Sequence, residues 1–109
     1  MRYNVIVTGN FERKVKRLSK KYISLKDDLR PIIEQLSVNP SFGQPLGHNC
    51  YKIRFSISSK GHGKSGGARI ISYVRFLKET VYLIDLYDKS EKVAISEKEM
   101  IELISLVLE

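Results

Sequence analysis

Tryptophan is absent from these 109 residues, and cysteine occurs only once and histidine twice. A lone Cys50 cannot close an internal disulfide. With no second thiol it cannot begin a zinc site either, so a cysteine-stapled scaffold is excluded and Cys50 reads as a small buried hydrophobe. His48 and His62 do not stand at helical spacing from another ligand, and no Ser-His-Asp set accompanies them, so no metal site, cofactor or catalytic triad is expected. Long apolar runs are also missing, and the stretch after Met1 lacks a signal peptide's core; no membrane association and a cytoplasmic location are the expectations. The length suits one domain, spanning residues 1–109, with one modest core.

The most informative shortage is of negative charge. From Gln35 to Lys78 there is no Asp or Glu, while Lys52, Arg54, Lys60, Lys64, Arg69, Arg75 and Lys78 all fall inside. The net charge of +7 is therefore directional, with fifteen Lys/Arg against four Asp/Glu in residues 1–75 and four against eight in 76–109. A polyanionic partner is the simplest reason to leave so many cations unmatched, and RNA is the leading one. A solvated basic face that only aids solubility is the plainer alternative.

Apolar periodicity supplies the elements. Arg2–Thr8 contains the β-branched Val5-Ile6-Val7 and reads as a strand. Asn10 is a plausible N-cap for a helix over Phe11–Tyr22, whose Phe11, Val15, Leu18 and Tyr22 share one face. Ser24 and Asp27-Asp28 announce a second helix carrying Leu25, Leu29, Ile32, Ile33 and Leu36, although Pro31 sits awkwardly unless it falls in the first turn. After a turn-rich loop from Asn39 to Gly47, three strands follow at Cys50–Ser58, Ala68–Phe76 and Thr80–Tyr87. Ser96-Glu97-Lys98-Glu99 is a capping box that opens a last helix. The order predicts an α+β fold: a mostly antiparallel sheet of about four strands, an N-terminal helical hairpin and a C-terminal helix, with the helices on one face.

Gly63-Lys64-Ser65 invites a phosphate-loop reading, which fails because the motif's first glycine would fall on Ser58 and the segment joins two strands. A glycine-rich cationic hairpin loop remains, with Lys60 and Lys64 as candidate RNA contacts and His62 as a bystander. Alternation in Cys50–Ser58 puts Lys52 and Arg54 opposite Tyr51, Ile53 and Phe55, and alternation in Ala68–Phe76 aligns Arg69, Ile71, Tyr73 and Arg75. Lys52, Arg54 and Arg69 on neighbouring strands would form a compact cationic platform. Tyr73 and Tyr87 offer aromatic surface for an unstacked base, or belong to the core.

Tyr51-Lys52-Ile53-Arg54, Lys60–Gly67, Ala68-Arg69-Ile70-Ile71-Ser72-Tyr73 and Leu86-Tyr87-Asp88-Lys89-Ser90-Glu91, taken in order, resemble the RelE/ParE toxin superfamily, most closely its HigB-like branch. The resemblance covers nearly the whole chain. It implies a RelE-like fold and a type II toxin that cuts messenger RNA in the ribosomal A site, without metal, through attack of the RNA's own 2′-hydroxyl. A cognate antitoxin encoded beside it, of which a HigA-like helix-turn-helix protein is one form, would hold it inactive, and the free toxin would be a monomer. On the family's pattern the catalytic set is Lys52, Arg54, Arg69, Tyr87 and Lys89, and Lys52 is the candidate general base because crowding by like charge makes a lysine give up its proton more readily. The sequence departs from better-known members in offering no tyrosine in its last helix and no histidine-aspartate set near Lys89. A ParE-like gyrase inhibitor and a catalytically inactive nucleic-acid-binding module are the alternatives.

Overall fold

The computed structural model describes residues 2–60 and 67–108. The elements run β1 (Asn4–Val7), α1 (Gly9–Lys21), α2 (Leu25–Val38), β2 (Gln44–Gly47), β3 (Cys50–Phe55), β4 (Ala68–Arg75), β5 (Thr80–Asp88) and α3 (Glu97–Leu108), with single 3₁₀ turns at Ser58–Lys60 and Phe76–Lys78. They build a five-stranded sheet in the order β1-β5-β4-β3-β2. The β2, β3, β4 and β5 strands form an antiparallel meander. β1 joins the far edge of β5 in parallel.

The sheet carries a fifth strand that the sequence does not announce, because β2 is four residues long and contains Pro45 and Gly47. Proline is confined to edges, where it need not donate to a ladder, and β2 is an edge. The helices also occupy both faces instead of one. Val81, Leu83 and Leu86 of β5, Ile70 and Val74 of β4 and Ile53 of β3 pack beneath Phe11, Leu18, Leu25, Leu29 and Leu36 of the α1–α2 hairpin. Cys50, Ile71, Ile84 and Tyr87 form a second cluster on the opposite side, with Met100, Leu103, Ile104 and Val107 of α3. The physical reason is that β4 and β5 are apolar on both faces, so each face needs a cover.

Helix boundaries differ in instructive ways. The N-cap of α1 is Thr8, whose hydroxyl accepts from the Phe11 amide, and Asn10 instead donates to the Ile84 carbonyl at 2.8 Å. Beyond Leu83 the edge of β5 has no β1 partner, and Asn10 satisfies one acceptor there. Pro31 lies well inside α2, on an exposed face, where the missing amide costs one hydrogen bond while Leu25, Leu29 and Leu36 hold the helix by burial. The capping box before α3 forms as expected, the Glu99 amide donating to Ser96 Oγ at 3.1 Å and the Ser96 amide to Glu99 Oε1.

One irregularity decides what the site contains. Ile71 pairs with Asp85 but Ser72 pairs with Leu83, so Ile84 is an extra residue in β5. A bulge of this kind inverts the alternation beyond it. Val81 and Leu83 face the hairpin, and unbroken alternation would send Tyr87 there too; with the bulge, Leu86 faces the hairpin and Tyr87 the α3 side.

Candidate nucleic-acid site

The α3 face of the sheet is only partly covered, and its uncovered part is cationic. Arg54 of β3 is in register with Arg69 of β4, and Arg69 with Tyr87 of β5. Side chains opposite one another on adjacent strands have Cβ atoms about 5 Å apart, so these three form one row across the sheet. Lys52 lies two residues from Arg54 on the same face, about 7 Å along the strand. Lys52 is half-buried and Arg54 exposed, and neither has an ion-pair partner among the described residues. Arg69 is 5% exposed and donates to the Ala68 carbonyl at 3.1 Å.

Tyr87 is enclosed, with 2% of its surface exposed. Its hydroxyl makes no hydrogen bond of standard geometry among the described residues. Burial raises its pKa, outweighing the opposite pull of the Arg69 and Lys92 charges, so it is a phenol at neutral pH. The Lys92 ammonium sits 5.3 Å from the centre of its ring. Lys92 is the site residue that sequence reasoning misses. Its place depends on a turn after β5 in which the Ser90 amide donates to the Asp88 carboxylate and the Glu91 and Lys92 amides to the Asp88 carbonyl. Aspartate followed two residues later by a donor amide is a common local turn signature, and it is the only signal for it in the sequence.

The other expected contacts, Lys89, Tyr73, Lys64 and Lys60, differ in where they stand. Lys89 stands exposed one residue past β5, its amide on the Gly67 carbonyl at 3.2 Å, so it lies at the mouth of the β3–β4 connection, two residues beyond Tyr87. Tyr73 shares the face but sits four residues along β4 from Arg69, roughly 13 Å away by strand rise, half-buried and stacked on Tyr82 with centroids 6.2 Å apart. Lys64, with His62, lies outside the described residues.

Lys60 is already paired with a carboxylate. Its ammonium is 2.8 Å from the carboxylate of Asp88, and 5.6 Å from the ring centre of Tyr22, which belongs to the hairpin-side core. The Asp88 side chain is fully buried and also accepts from the Tyr22 hydroxyl at 2.6 Å. Burial alone would raise the Asp88 carboxyl; Lys60, Tyr22 and Ser90 together outweigh it and hold the group well below the usual carboxylate range. Lys60 is thus the counter-ion of a buried carboxylate, and its own pKa is raised chiefly by that hydrogen bond.

The acidic groups near the row are similarly matched. Asp85 is held by Lys14 at 2.8 Å and Asn10 at 3.1 Å, with Lys92 at 3.7 Å. Arg17 makes two bonds to Glu91. Carboxylates therefore tie α1 to the end of β5 and leave Lys52 and Arg54 to solvent. Cys50 is buried, and burial pushes its thiol up to about 12, which removes it as a nucleophile. Among the described residues no group of three His, Cys, Asp or Glu stands close enough to hold a metal ion, and no helix is long and apolar enough to cross a membrane. A furrow of about 940 Å³ runs between α1 and α2 past Val15, Leu29 and Ile33, and none of the row lines it.

No protein-family model matches the chain. Among solved structures it is similar to a double arginine-to-alanine mutant of the E. coli toxin RelE in the free state. That match has 16% identity, covers 98% of this chain and 99% of the other, and gives a TM-score of 0.65. A metal-bound toxin from Helicobacter pylori matches with 20% identity over 83% of this chain and 98% of that one, at a TM-score of 0.53.

Proposed function

We propose that this chain, which has the fold of the RelE toxins, is a toxin that cuts messenger RNA in the ribosomal A site. The observation that carries the reading is the Arg54–Arg69–Tyr87 row with Lys52 beside it, in which Arg54 is exposed, Lys52 half-buried and Arg69 and Tyr87 enclosed, and whose nearby carboxylates already have cations. Single-stranded RNA laid across this face would bring a phosphate against Arg54, the exposed end of the row, next to the enclosed Arg69.

The chemistry that fits is an internal transfer. A 2′-oxygen attacks the adjacent phosphorus, the P–O5′ bond breaks, and the products are a 2′,3′-cyclic phosphate and a 5′-hydroxyl. The proton of the 2′-hydroxyl passes to a base, the role proposed for Lys52, and a second proton reaches the departing 5′-oxygen. Tyr87, protonated at neutral pH, is in the right form to donate it once uncovered. Arg54 and Arg69 stabilise the charge that develops on the phosphorane oxygens, an effect worth about 10²–10³ in rate per fixed donor. Lys89 adds positive charge at the mouth of the β3–β4 connection, and Tyr73 is a stacking surface for a base further along. As a toxin the chain would be restrained by an antitoxin that covers part of this basic surface.

Induced expression should arrest growth, and Arg54→Ala, at an exposed position that folding does not need, should relieve the arrest. Supercoiling by DNA gyrase should be unaffected by the purified protein. Arrest by the Ala variant, or gyrase inhibition by the wild type, would overturn the reading in favour of another toxic activity.

A further inference from the structure

Lys92 has three neighbours that describe an occupied but replaceable position. Its ammonium lies 2.7 Å from Glu99 Oε2 at the start of α3, 3.7 Å from Asp85 Oδ2, and 5.3 Å from the centre of the Tyr87 ring. Tyr87 belongs to the row that includes Arg69 and Arg54. The ammonium thus stands beside the ring of Tyr87, whose cross-strand neighbour in the row is Arg69. We infer that Lys92 is a phosphate-binding residue of the proposed RNA site, held by Glu99 in the free protein, and that an incoming RNA phosphate replaces Glu99 as its partner. The inference rests on the RNA reading and adds to it a resting state and the residue that maintains it.

The exchange is cheap on the protein's side. Asp85 keeps Lys14 at 2.8 Å and Asn10 at 3.1 Å, so it is not left unmatched when Lys92 moves. The Glu99 side chain is 48% exposed, so water takes over its carboxylate, and it still serves the capping box through Ser96. An ion pair this open contributes little, whereas a phosphate that releases its counterions binds a lysine more strongly. The move also reaches Tyr87, whose ring loses the ammonium 5.3 Å from its centre.

The test is the salt dependence of binding to a fluorescent single-stranded oligonucleotide with 2′-O-methyl riboses, which cannot be cut, using the whole chain. Lys92→Gln should bind about five-fold more weakly at 0.1 M salt and should flatten the slope of log K against log salt by about 0.7, the loss of one phosphate contact on a single strand. Glu99→Gln keeps a capping-box residue while removing the competing charge, so it should bind about two- to five-fold more tightly. Lys92→Arg should restore most of the slope. Opposite signs for the two Gln variants are what a merely structural ion pair would not produce, since breaking it from either side would act alike. Wild-type binding with an unchanged slope in Lys92→Gln, or weaker binding by Glu99→Gln, overturns the inference and leaves the RNA reading standing. No binding by the wild type removes the RNA reading itself, and this inference with it.

Discussion

Replacing Asp88 by Asn tests the charge network that holds the site's scaffold. The native carboxylate is fully buried, with Lys60 at 2.8 Å, the Tyr22 hydroxyl at 2.6 Å and the Ser90 amide at 3.0 Å. Asn preserves shape but leaves the ammonium of Lys60, whose side chain is only 18% exposed, beside a neutral amide. Breaking a buried pair from one side costs about 3–5 kcal/mol, and the lower end applies because Lys60 retains some water. With an unfolding entropy of about 2.1 cal/mol/K per residue, a chain of 109 residues loses about 13 °C in Tm for 3 kcal/mol. Thermal and urea unfolding at pH 7 measure this directly. Lys60→Met combined with Asp88→Asn should recover most of the loss, since no charge is then stranded. The sign with pH follows from the depressed carboxyl. Its contribution is complete above the unfolded value near 4 and disappears as pH falls through the lower folded value, so the gap between wild type and Asp88→Asn should close in acid. A single variant within about 3 °C of wild type at pH 7, or a gap that widens in acid, would refute the reasoning.

Other residues give simpler expectations. Tyr87→Phe removes a hydroxyl that has no standard hydrogen bond, so stability should change by less than about 1 kcal/mol in urea while RNA cleavage falls about 10²-fold or more. Gly67→Ala should cost more than about 2 kcal/mol by the same measurement, because φ is +47° and the new Cβ would collide with the Phe55 carbonyl oxygen. Ser96→Ala breaks the capping box of α3 and should lower stability by about 1 kcal/mol, or roughly 4 °C in Tm.

The platform is legible in the sequence because strand alternation is a local property. Lys52 and Arg54 alternate with Tyr51, Ile53 and Phe55, and Arg69 with Ile70, so their common face follows once β3 and β4 pair. Tyr87 is harder. Its face depends on the bulge at Ile84, and nothing around Leu83-Ile84-Asp85 signals an extra residue. Lys60 reads as a loop cation because its partner, Asp88, lies 28 positions away and a buried carboxylate cannot be recognised before the fold is known. Lys92 depends in turn on the turn that Asp88 organises. The α3 helix is announced by its capping box, but the face it covers follows from the two-sided apolarity of β4 and β5 and not from its own residues. The parallel pairing of β1 with β5 is likewise a tertiary choice.

The central claim is that the Arg54–Arg69–Tyr87 row cuts RNA. Its most direct test is to map the ends of messages cut in a reconstituted translation system supplied with the purified chain. The account predicts cleavage that leaves a 2′,3′-cyclic phosphate and a 5′-hydroxyl, depends on the ribosome, and drops at least 10²-fold in Arg54→Ala with Tm unchanged. Intact messages, or cleavage that Arg54→Ala supports at the wild-type rate, would contradict it.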